Sequence, residues 1–112
     1  MSAPLFLEDK VTIKVAYTFP DAAGVERPYH FTLTVDRLDT EEIKLVHDSG
    51  DLVFVDFFAK HASAWSGLKE GGANVEFSEA NLRQLFKQPG IPLLTWQRYC
   101  EAIPAKGAAA KN

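Results

Sequence analysis

The fold is decided by two stretches of sequence, Lys10–Tyr17 (KVTIKVAY) and Tyr29–Asp36 (YHFTLTVD). In each stretch, β-branched and aromatic residues alternate with mostly polar ones, which is typical of a half-buried β-strand. The turn-forming segment 19–24 (FPDAAG) lies between them, so the pattern predicts an antiparallel hairpin. A lone hairpin is marginally stable in water. We therefore expect helices to cover its apolar row, which consists of Val11, Ile13, Val15, Tyr17, Tyr29, Phe31, Leu33 and Val35.

The apolar spacing becomes helical directly after the second strand. Asp39 at the N-cap places Glu42 at the third helical position, an acidic variant of the capping box. This first helix is expected to reach about His47 and to break at residues 49–50 (SG). A second helix is predicted from about Asp51 to about Trp65, and residues 68–75 are predicted to form a mobile loop because they contain two adjacent glycines.

Two further helices are predicted in the last third of the chain. Ser78 is a candidate N-cap, and the residues 88–90 (QPG) end that helix. Pro92 suits the first turn of the last helix. The apolar seam of this helix is predicted to comprise Leu93, Trp96, Cys100 and Ile103, with Tyr99 beside it. The sequence thus predicts an α+β fold, a hairpin packed on about four helices. Residues 1–112 are expected to form one domain, ordered from about 10 to 104 between flexible ends.

Composition excludes several classes of protein. The chain has 112 residues, of which 46% are hydrophobic and 24% charged, which is the balance of a globular domain. No apolar stretch approaches the length of a membrane span. A formal charge of −3 removes the attraction expected of a general nucleic-acid binder. The single cysteine, Cys100, fits a reducing compartment, so we expect a cytoplasmic protein that binds neither membrane nor nucleic acid.

Charge is unevenly distributed along the sequence. Residues 36–56 contain seven acids and two bases, whereas residues 77–112 contain five bases and two acids. Solvated helix faces explain such runs in most proteins. The alternative is one acidic and one basic surface that steer partners or drive head-to-tail self-association.

Candidate catalytic and metal-binding groups form no recognisable site. The spacings of His30, His47 and His61 match no zinc signature. His47 could form a weak divalent site with Asp48 and Asp51, although surface polar residues are the favoured interpretation. The serines lack a nucleophile elbow, and the two adjacent glycines lack a phosphate-binding loop. Cys100 is interpreted as a buried structural residue. We expect neither catalysis nor a cofactor or metal.

The predicted second helix is unusually apolar. Its hydrophobic residues occupy more than half of its circumference, well beyond the usual stripe. They are Leu52, Val53, Phe54, Val55, Phe57, Phe58, Ala59, Ala62 and Trp65. One interpretation is a central helix buried on several sides. The other is that part of this surface, together with Trp96 and Tyr99, forms a groove for a helix of another protein.

A series of motifs extends from Phe31 to the end of the sequence. In order, it comprises residues 31–38 (FTLTVDRL), an acidic helix start, an apolar helix closing on 65–67 (WSG), a glycine-containing loop, 75–82 (VEFSEANL), 85–86 (LF), 89–90 (PG) and 111–112 (KN). Each motif alone is weakly specific. The ordered series with its spacings resembles the small tail assembly chaperones of long-tailed phages and prophages.

The resemblance implies a non-catalytic function. Proteins of that family bind the long, helical tape measure protein, keep it soluble and help to recruit tail tube proteins around it. They act in the host cytoplasm and are absent from the finished virion. From the excess of apolar helix surface, we predict that the client is bound by Phe57, Phe58, Trp65, Trp96 and Tyr99. Homo-oligomerisation would suit a protein that binds one client in many copies.

Two other functions remain open from the sequence. One is a tail structural or completion protein that stays in the virion, with the hairpin and the charge asymmetry mediating ring formation. The other is a small metal-dependent or hydrolytic enzyme that uses His47, Asp48 and Asp51.

Overall fold

The computed structural model describes residues 9–48 and 53–103, and only the backbone of His47. These residues form five strands and four helices. In chain order they are β1 (Lys10–Pro20), β2 (Glu26–Asp36), α1 (Thr40–Asp48), α2 (Phe54–His61), β3 (Ala62–Ser66), β4 (Lys69–Glu70), β5 (Ala73–Asn74), α3 (Glu79–Leu85) and α4 (Ile91–Ala102). The predicted α+β class, an N-terminal hairpin packed with four helices, is confirmed.

The main sheet has three antiparallel strands in the order β1-β2-β3. β1 and β2 pair along their whole length, from Lys10 opposite Asp36 to Pro20 opposite Glu26. β3 is shorter and pairs only with residues 32–35 of β2. The turn end of the hairpin, where the chain reverses between Pro20 and Glu26, therefore extends beyond β3 as a two-stranded ribbon.

The core lies between one face of this sheet and the helices. The middle of the predicted apolar row is buried there, as Ile13, Val15, Phe31, Leu33 and Val35. The last helices and α2 supply the other half of the core. Their buried hydrophobic residues are Phe57, Phe58, Leu82, Leu85, Ile91, Trp96 and Tyr99.

The predicted helix over 51–65 is wrong at its C-terminal end. α2 ends at His61, and Ala62 has extended backbone angles (φ −82°, ψ 146°). The next residues form β3, in which Trp65 lies opposite Leu33. The free edge of β2 offers backbone hydrogen-bond partners to this segment. Pairing with that edge therefore overrides the helical spacing of the apolar residues.

Residues 68–75 also differ from the predicted loop. Lys69 pairs with Asn74 and Glu70 with Ala73, forming the small β4–β5 hairpin. Gly71 and Gly72 form its turn, with φ of +59° and +83°. Positive φ at both central residues is the requirement of a type I′ hairpin turn, so the glycines form a tight hairpin here.

The predicted starts of α1, α3 and α4 are confirmed, whereas α2 begins at Phe54 rather than near Asp51. The backbone N–H of Glu42 donates to Oδ1 of Asp39 (2.8 Å), and the backbone N–H of Asp39 donates to Oε1 of Glu42 (3.1 Å). The backbone N–H of Asn81 donates to Oγ of Ser78 (3.1 Å). Pro92 lies in the first turn of α4.

The predicted seam of α4 is wrong in part. Leu93 is 52% exposed, whereas Thr95 is fully buried. The threonine hydroxyl donates to the carbonyl oxygen of Ile91 (2.7 Å). This bond satisfies the hydroxyl, so Thr95 lies in the core without an unpaired polar group. Leu93, which was predicted to lie in the seam, faces solvent instead.

Several predictions concern residues that the structure does not describe. The helix break at 49–50 and, apart from residue 9, the two ends expected to be flexible, before about residue 10 and after about residue 104, lie outside the described residues. They remain predictions.

Candidate functional site

Four of the five residues predicted to bind a client lie in the core. The exposed fraction is 7% for Phe57, 0% for Phe58, 5% for Trp96 and 0% for Tyr99. Their rings pack against one another, with centroids 5.1 Å apart for Phe57 and Trp96 and 5.8 Å apart for Phe58 and Tyr99. In this conformation they have almost no surface for a partner. Of the two interpretations of the apolar helix, the structure favours the helix buried on several sides.

Tyr99 is an anchor between α4 and the start of α1. Its hydroxyl donates to the carbonyl oxygen of Asp36 (2.6 Å) and accepts a hydrogen bond from the backbone N–H of Leu38 (3.2 Å). Burial raises the pKa of this phenol to about 12, so it stays protonated at neutral pH and keeps donating. The geometry assigns it a structural task.

Trp65, the fifth predicted residue, is half-buried and joins β3 to the small hairpin. Its indole N–H donates to the carbonyl oxygen of Val75 (2.8 Å), and its ring packs edge-on against Phe77 at 5.3 Å. The backbone N–H of Val75 donates in turn to the carbonyl oxygen of Leu68 (2.9 Å). Trp65 therefore fixes the position of the β4–β5 hairpin relative to the sheet.

An aromatic cluster lies at the turn end of the main hairpin, where β3 no longer covers β2. Tyr17 stacks on Tyr29 across the strands, with ring centroids 5.6 Å apart and planes 22° apart. Phe19 packs edge-on against Tyr17 at 5.4 Å. Tyr29 is 48% exposed, although the alternation placed it in the core row. Tyr17 and Phe19 are half-buried against the core, whereas the helices do not extend far enough along the hairpin to cover Tyr29.

This cluster forms one wall of an open cleft of about 310 Å³. The opposite side consists of the segment that follows β3 and of the C-terminal end of α3. The residues that line the cleft are Tyr17, Phe19, Tyr29, His30, Gly67, Leu68, Lys69, Leu85 and Gln88. Its volume is at the lower end of the roughly 300–1,000 Å³ typical of ligand pockets, so it suits one or two side chains.

Gly67 allows the chain to turn from β3 into the cleft wall. Its φ is +90°, a conformation that L-residues rarely adopt. A Cβ atom at this position would lie 3.1 Å from the carbonyl oxygen of His30 and 3.3 Å from Cα of Phe31. Both the backbone angle and the close approach to β2 therefore require glycine.

The turn that closes the main hairpin is held by Asp21. Its carboxylate accepts hydrogen bonds from the backbone N–H groups of Ala23 (2.9 Å) and Val25 (3.0 Å) and from Nε of Arg27 (3.0 Å). These hydrogen bonds lower the pKa of Asp21, and the bond from Val25 has the largest effect. These contacts hold the turn beside the aromatic cluster in a defined conformation.

The cleft combines apolar surface with neutral and basic polar groups. Its only lysine is Lys69, and none of the described residues that line it carries a carboxylate. Burial, and secondarily the nearby Tyr29, raises the pKa of Tyr17, which keeps that phenol neutral. Such a surface can take an apolar side chain with an acidic group beside it.

The described residues hold no group of three or more acids, histidines and cysteines able to bind a metal ion. The side chain of His47, and Asp51, lie outside the described residues, so the predicted weak divalent site remains a prediction. Burial, followed by the charge of Glu101, raises the pKa of the Cys100 thiol, which disfavours the reactive thiolate. His61 bonds through Nδ1 to Oδ2 of Asp36 (3.2 Å) and links α2 to β2.

No family model, curated protein or solved structure matches the chain. In the part of the chain that the structure describes, no helix combines the length and apolar character that a membrane crossing requires.

The cleft residues were missed by sequence reasoning. The alternation of apolar residues identified the face of the hairpin on which Tyr17 and Tyr29 lie. How far the helices extend over that face depends on tertiary packing, which periodicity does not show. Nothing in the sequence marked Lys69 or Gln88 as residues of a site. Gly67 could have been noticed, because a glycine at the end of a predicted element often marks a close backbone approach or a turn.

Proposed function

We propose that this protein is a non-catalytic tail assembly chaperone of a long-tailed phage or prophage. It binds the helical tape measure protein, keeps it soluble and helps to recruit tail tube proteins. It acts in the host cytoplasm and is absent from the finished virion. The resemblance of residues 31–112 to that family supports this function, and the aromatic cleft supplies a surface suited to it.

The cluster of half-buried Tyr17 and Phe19 with exposed Tyr29 is the observation that carries the proposal. A domain that leaves an aromatic cluster partly open to solvent at the end of a two-stranded ribbon has a surface suited to another protein. An amphipathic helix can place one large apolar side chain into such a cleft while its polar face stays in water.

The small size of the cleft suits temporary binding. One inserted side chain gives modest affinity, and a long client offers many equivalent positions for further copies. Tail tube proteins can then displace each copy in turn, because no single contact is strong.

The experiment is co-expression with a tape measure protein of the same phage or prophage, in which the soluble fraction of the tape measure protein is measured. Replacing Tyr29 with alanine removes exposed aromatic surface without opening the core. Truncating an interface tyrosine of this kind costs about 2 kcal/mol, or about 30-fold in affinity. We expect Tyr29→Ala, and more strongly the Phe19→Ala/Tyr29→Ala pair, to lower the soluble fraction.

The matched control is Leu93→Ala on α4, which shortens a side chain that is also about half exposed but lies outside the cleft. Equal soluble fractions with wild type, Tyr29→Ala and Leu93→Ala would contradict binding through the cleft. Mass spectrometry of purified particles tests the chaperone function itself, since a structural tail protein would be found in the virion and a chaperone would not.

A further inference from the structure

β1 is a long strand at the edge of the main sheet. It has 11 residues, from Lys10 to Pro20, and pairs with β2 on one side. In the described part of the chain, no strand pairs with its other side. A free edge of this kind presents a row of backbone N–H and C=O groups to any extended chain that approaches it.

The register shows which residues of β1 direct their backbone groups towards the free edge. At one end of the ladder the N–H of Arg37 donates to the carbonyl oxygen of Asp9 (2.6 Å). At the other end the N–H of Asp21 donates to the carbonyl oxygen of Val25 (2.9 Å). Both pairs continue the β1–β2 register, and both join odd-numbered residues. Because hydrogen-bonded and non-hydrogen-bonded pairs alternate in an antiparallel ladder, the even-numbered residues of β1 direct their groups away from β2. These residues, all exposed, are Lys10, Thr12, Lys14, Ala16 and Thr18.

The open stretch of β2 beyond β3 is less suited to pairing with another chain. Pro28 lies in this stretch and has no N–H to donate. Gly67 also approaches the carbonyl oxygen of His30 closely and occupies part of that edge. β1 has no proline before Pro20, so its edge groups form an uninterrupted row.

The core face of β1 is incompletely covered at both ends of the strand. Ile13 and Val15 are buried, whereas Val11, Tyr17 and Phe19 are only partly buried against the core. In a strand added beside β1, every second side chain would lie on this face, next to those three residues. An added strand with apolar residues at alternate positions would therefore extend the existing core.

The opposite face of β1 is basic. Lys10 pairs with Asp36 (2.7 Å), but Lys14 has no ion pair within the described residues. A carboxylate on the added strand, directly opposite Lys14, would supply this partner. If two copies of β1 paired with each other, they would instead bring two lysines from each copy onto one face. The charge of the edge therefore favours an acidic segment of another protein over a second copy of this chain.

We propose that the free edge of β1 binds an extended segment of another protein as a fourth, antiparallel strand of the main sheet. Backbone hydrogen bonds to the even-numbered residues hold the segment, and its alternate side chains provide the specificity. Apolar side chains lie beside Val11 and Tyr17 on the core face, and an acidic side chain lies beside Lys14 on the other. Because the site is centred on Lys14, which does not line the cleft, the inference goes beyond the proposed function and does not depend on it.

Amide hydrogen exchange followed by NMR tests this proposal with the acetylated and amidated peptide TVTVEVTVE. In the antiparallel register its central glutamate lies opposite Lys14 and its valines lie on the core face. In the protein alone, the amides of Thr12, Lys14 and Ala16 should exchange faster than those of Ile13 and Val15, which bond to β2. We expect the peptide to slow exchange at Thr12, Lys14 and Ala16 at least about tenfold.

Two N-methylated forms of the peptide are matched probes of the backbone contact. N-methylation of the central glutamate and of the threonine after it removes two N–H groups that face β1, and should weaken binding about 30-fold. N-methylation of the two valines that flank the glutamate removes N–H groups that face away from β1. We expect this second form to bind within about threefold of the parent peptide.

Charge reversal tests the side-chain contact. Lys14 is exposed, so Lys14→Glu is expected to fold. It should weaken binding of TVTVEVTVE at least about fivefold and should favour the lysine peptide TVTVKVTVK in its place. The control Lys60→Glu changes an exposed lysine on α2 by the same charge and should leave both affinities unchanged.

Three results would overturn the proposal. They are no protection of the edge amides at millimolar peptide, equal binding of the two N-methylated forms, and edge amides that become protected in the chain alone as its concentration rises. The last result would identify a second copy as the occupant. None of these measurements contains the tape measure protein or a substitution in the cleft, so their failure is distinguishable from failure of the chaperone proposal.

Discussion

Replacing Gly67 with alanine tests whether the cleft wall requires glycine at this position. The substitution is expected to lower the free energy of unfolding in two ways. The first is backbone strain, because φ is +90° and a left-handed L-residue costs about 1–2 kcal/mol. The second is steric, because the new Cβ would lie 3.1 Å from the carbonyl oxygen of His30 and 3.3 Å from Cα of Phe31. Both neighbours are backbone atoms of a paired strand, so they cannot rotate away.

A matched control separates these costs. Gly24 has a similar φ of +82°, but no atom lies within 4 Å of the Cβ position there. Gly24→Ala should therefore lose only the unfolding free energy that corresponds to backbone strain. Alanine reduces the entropy of the unfolded chain in both variants, and this stabilisation is equal for the two. Crowding of a packed site costs about 1–3 kcal/mol. The expected loss of unfolding free energy is about 1–2 kcal/mol for Gly24→Ala and about 2–5 kcal/mol for Gly67→Ala.

Urea unfolding followed by far-ultraviolet circular dichroism measures this difference, provided that the slope with denaturant is unchanged. The total stability of such a domain is about 5–15 kcal/mol, so the larger loss remains measurable. Equal losses for the two variants would refute the argument that close approach to β2, in addition to the backbone angle, requires glycine at position 67.

Two further predictions concern the polar contacts at the other end of the hairpin. Tyr99→Phe leaves the carbonyl oxygen of Asp36 and the N–H of Leu38 without the hydroxyl, and should cost about 1–3 kcal/mol in urea unfolding; no change would show that water replaces it. The pKa of Asp36 is lowered, chiefly by the hydrogen bond from Lys10. The unfolded state therefore binds this proton more readily. Stability from Asp36 is present above about pH 4 and is lost as pH falls through its folded pKa, so Asp36→Asn should flatten the acid limb of the stability profile.

The elements that were predicted correctly depend on local chemistry. Asp39 with Glu42 and Ser78 with Asn81 form their caps within one turn, so the residues that make each contact are neighbours in the sequence. The hairpin alternation needs only the period of a strand. These features are determined by a few consecutive residues, and a single sequence contains all the information that they require.

The features that were missed depend on distant residues. Ala62–Ser66 continues a helical apolar pattern and becomes a strand only because the edge of β2 is free to pair with it. The burial of Trp96 and Tyr99, and the exposure of Tyr29, depend on how far the helices extend over the sheet. Periodicity identifies the apolar face of an element but not what covers it, and this is why the predicted client surface lies in the core while the cleft lies elsewhere.

The direct junction between α2 and β3 has a mechanical consequence. His61 ends the helix and Ala62 begins the strand, with no residue between them to absorb a displacement. We expect a displacement of β3 along β2 to be passed directly to α2, which carries Phe57 and Phe58 in the core. Gly67 and Trp65 connect the same strand to the cleft wall. A load applied to the cleft wall is therefore passed to α2 and to the buried aromatic residues of the core.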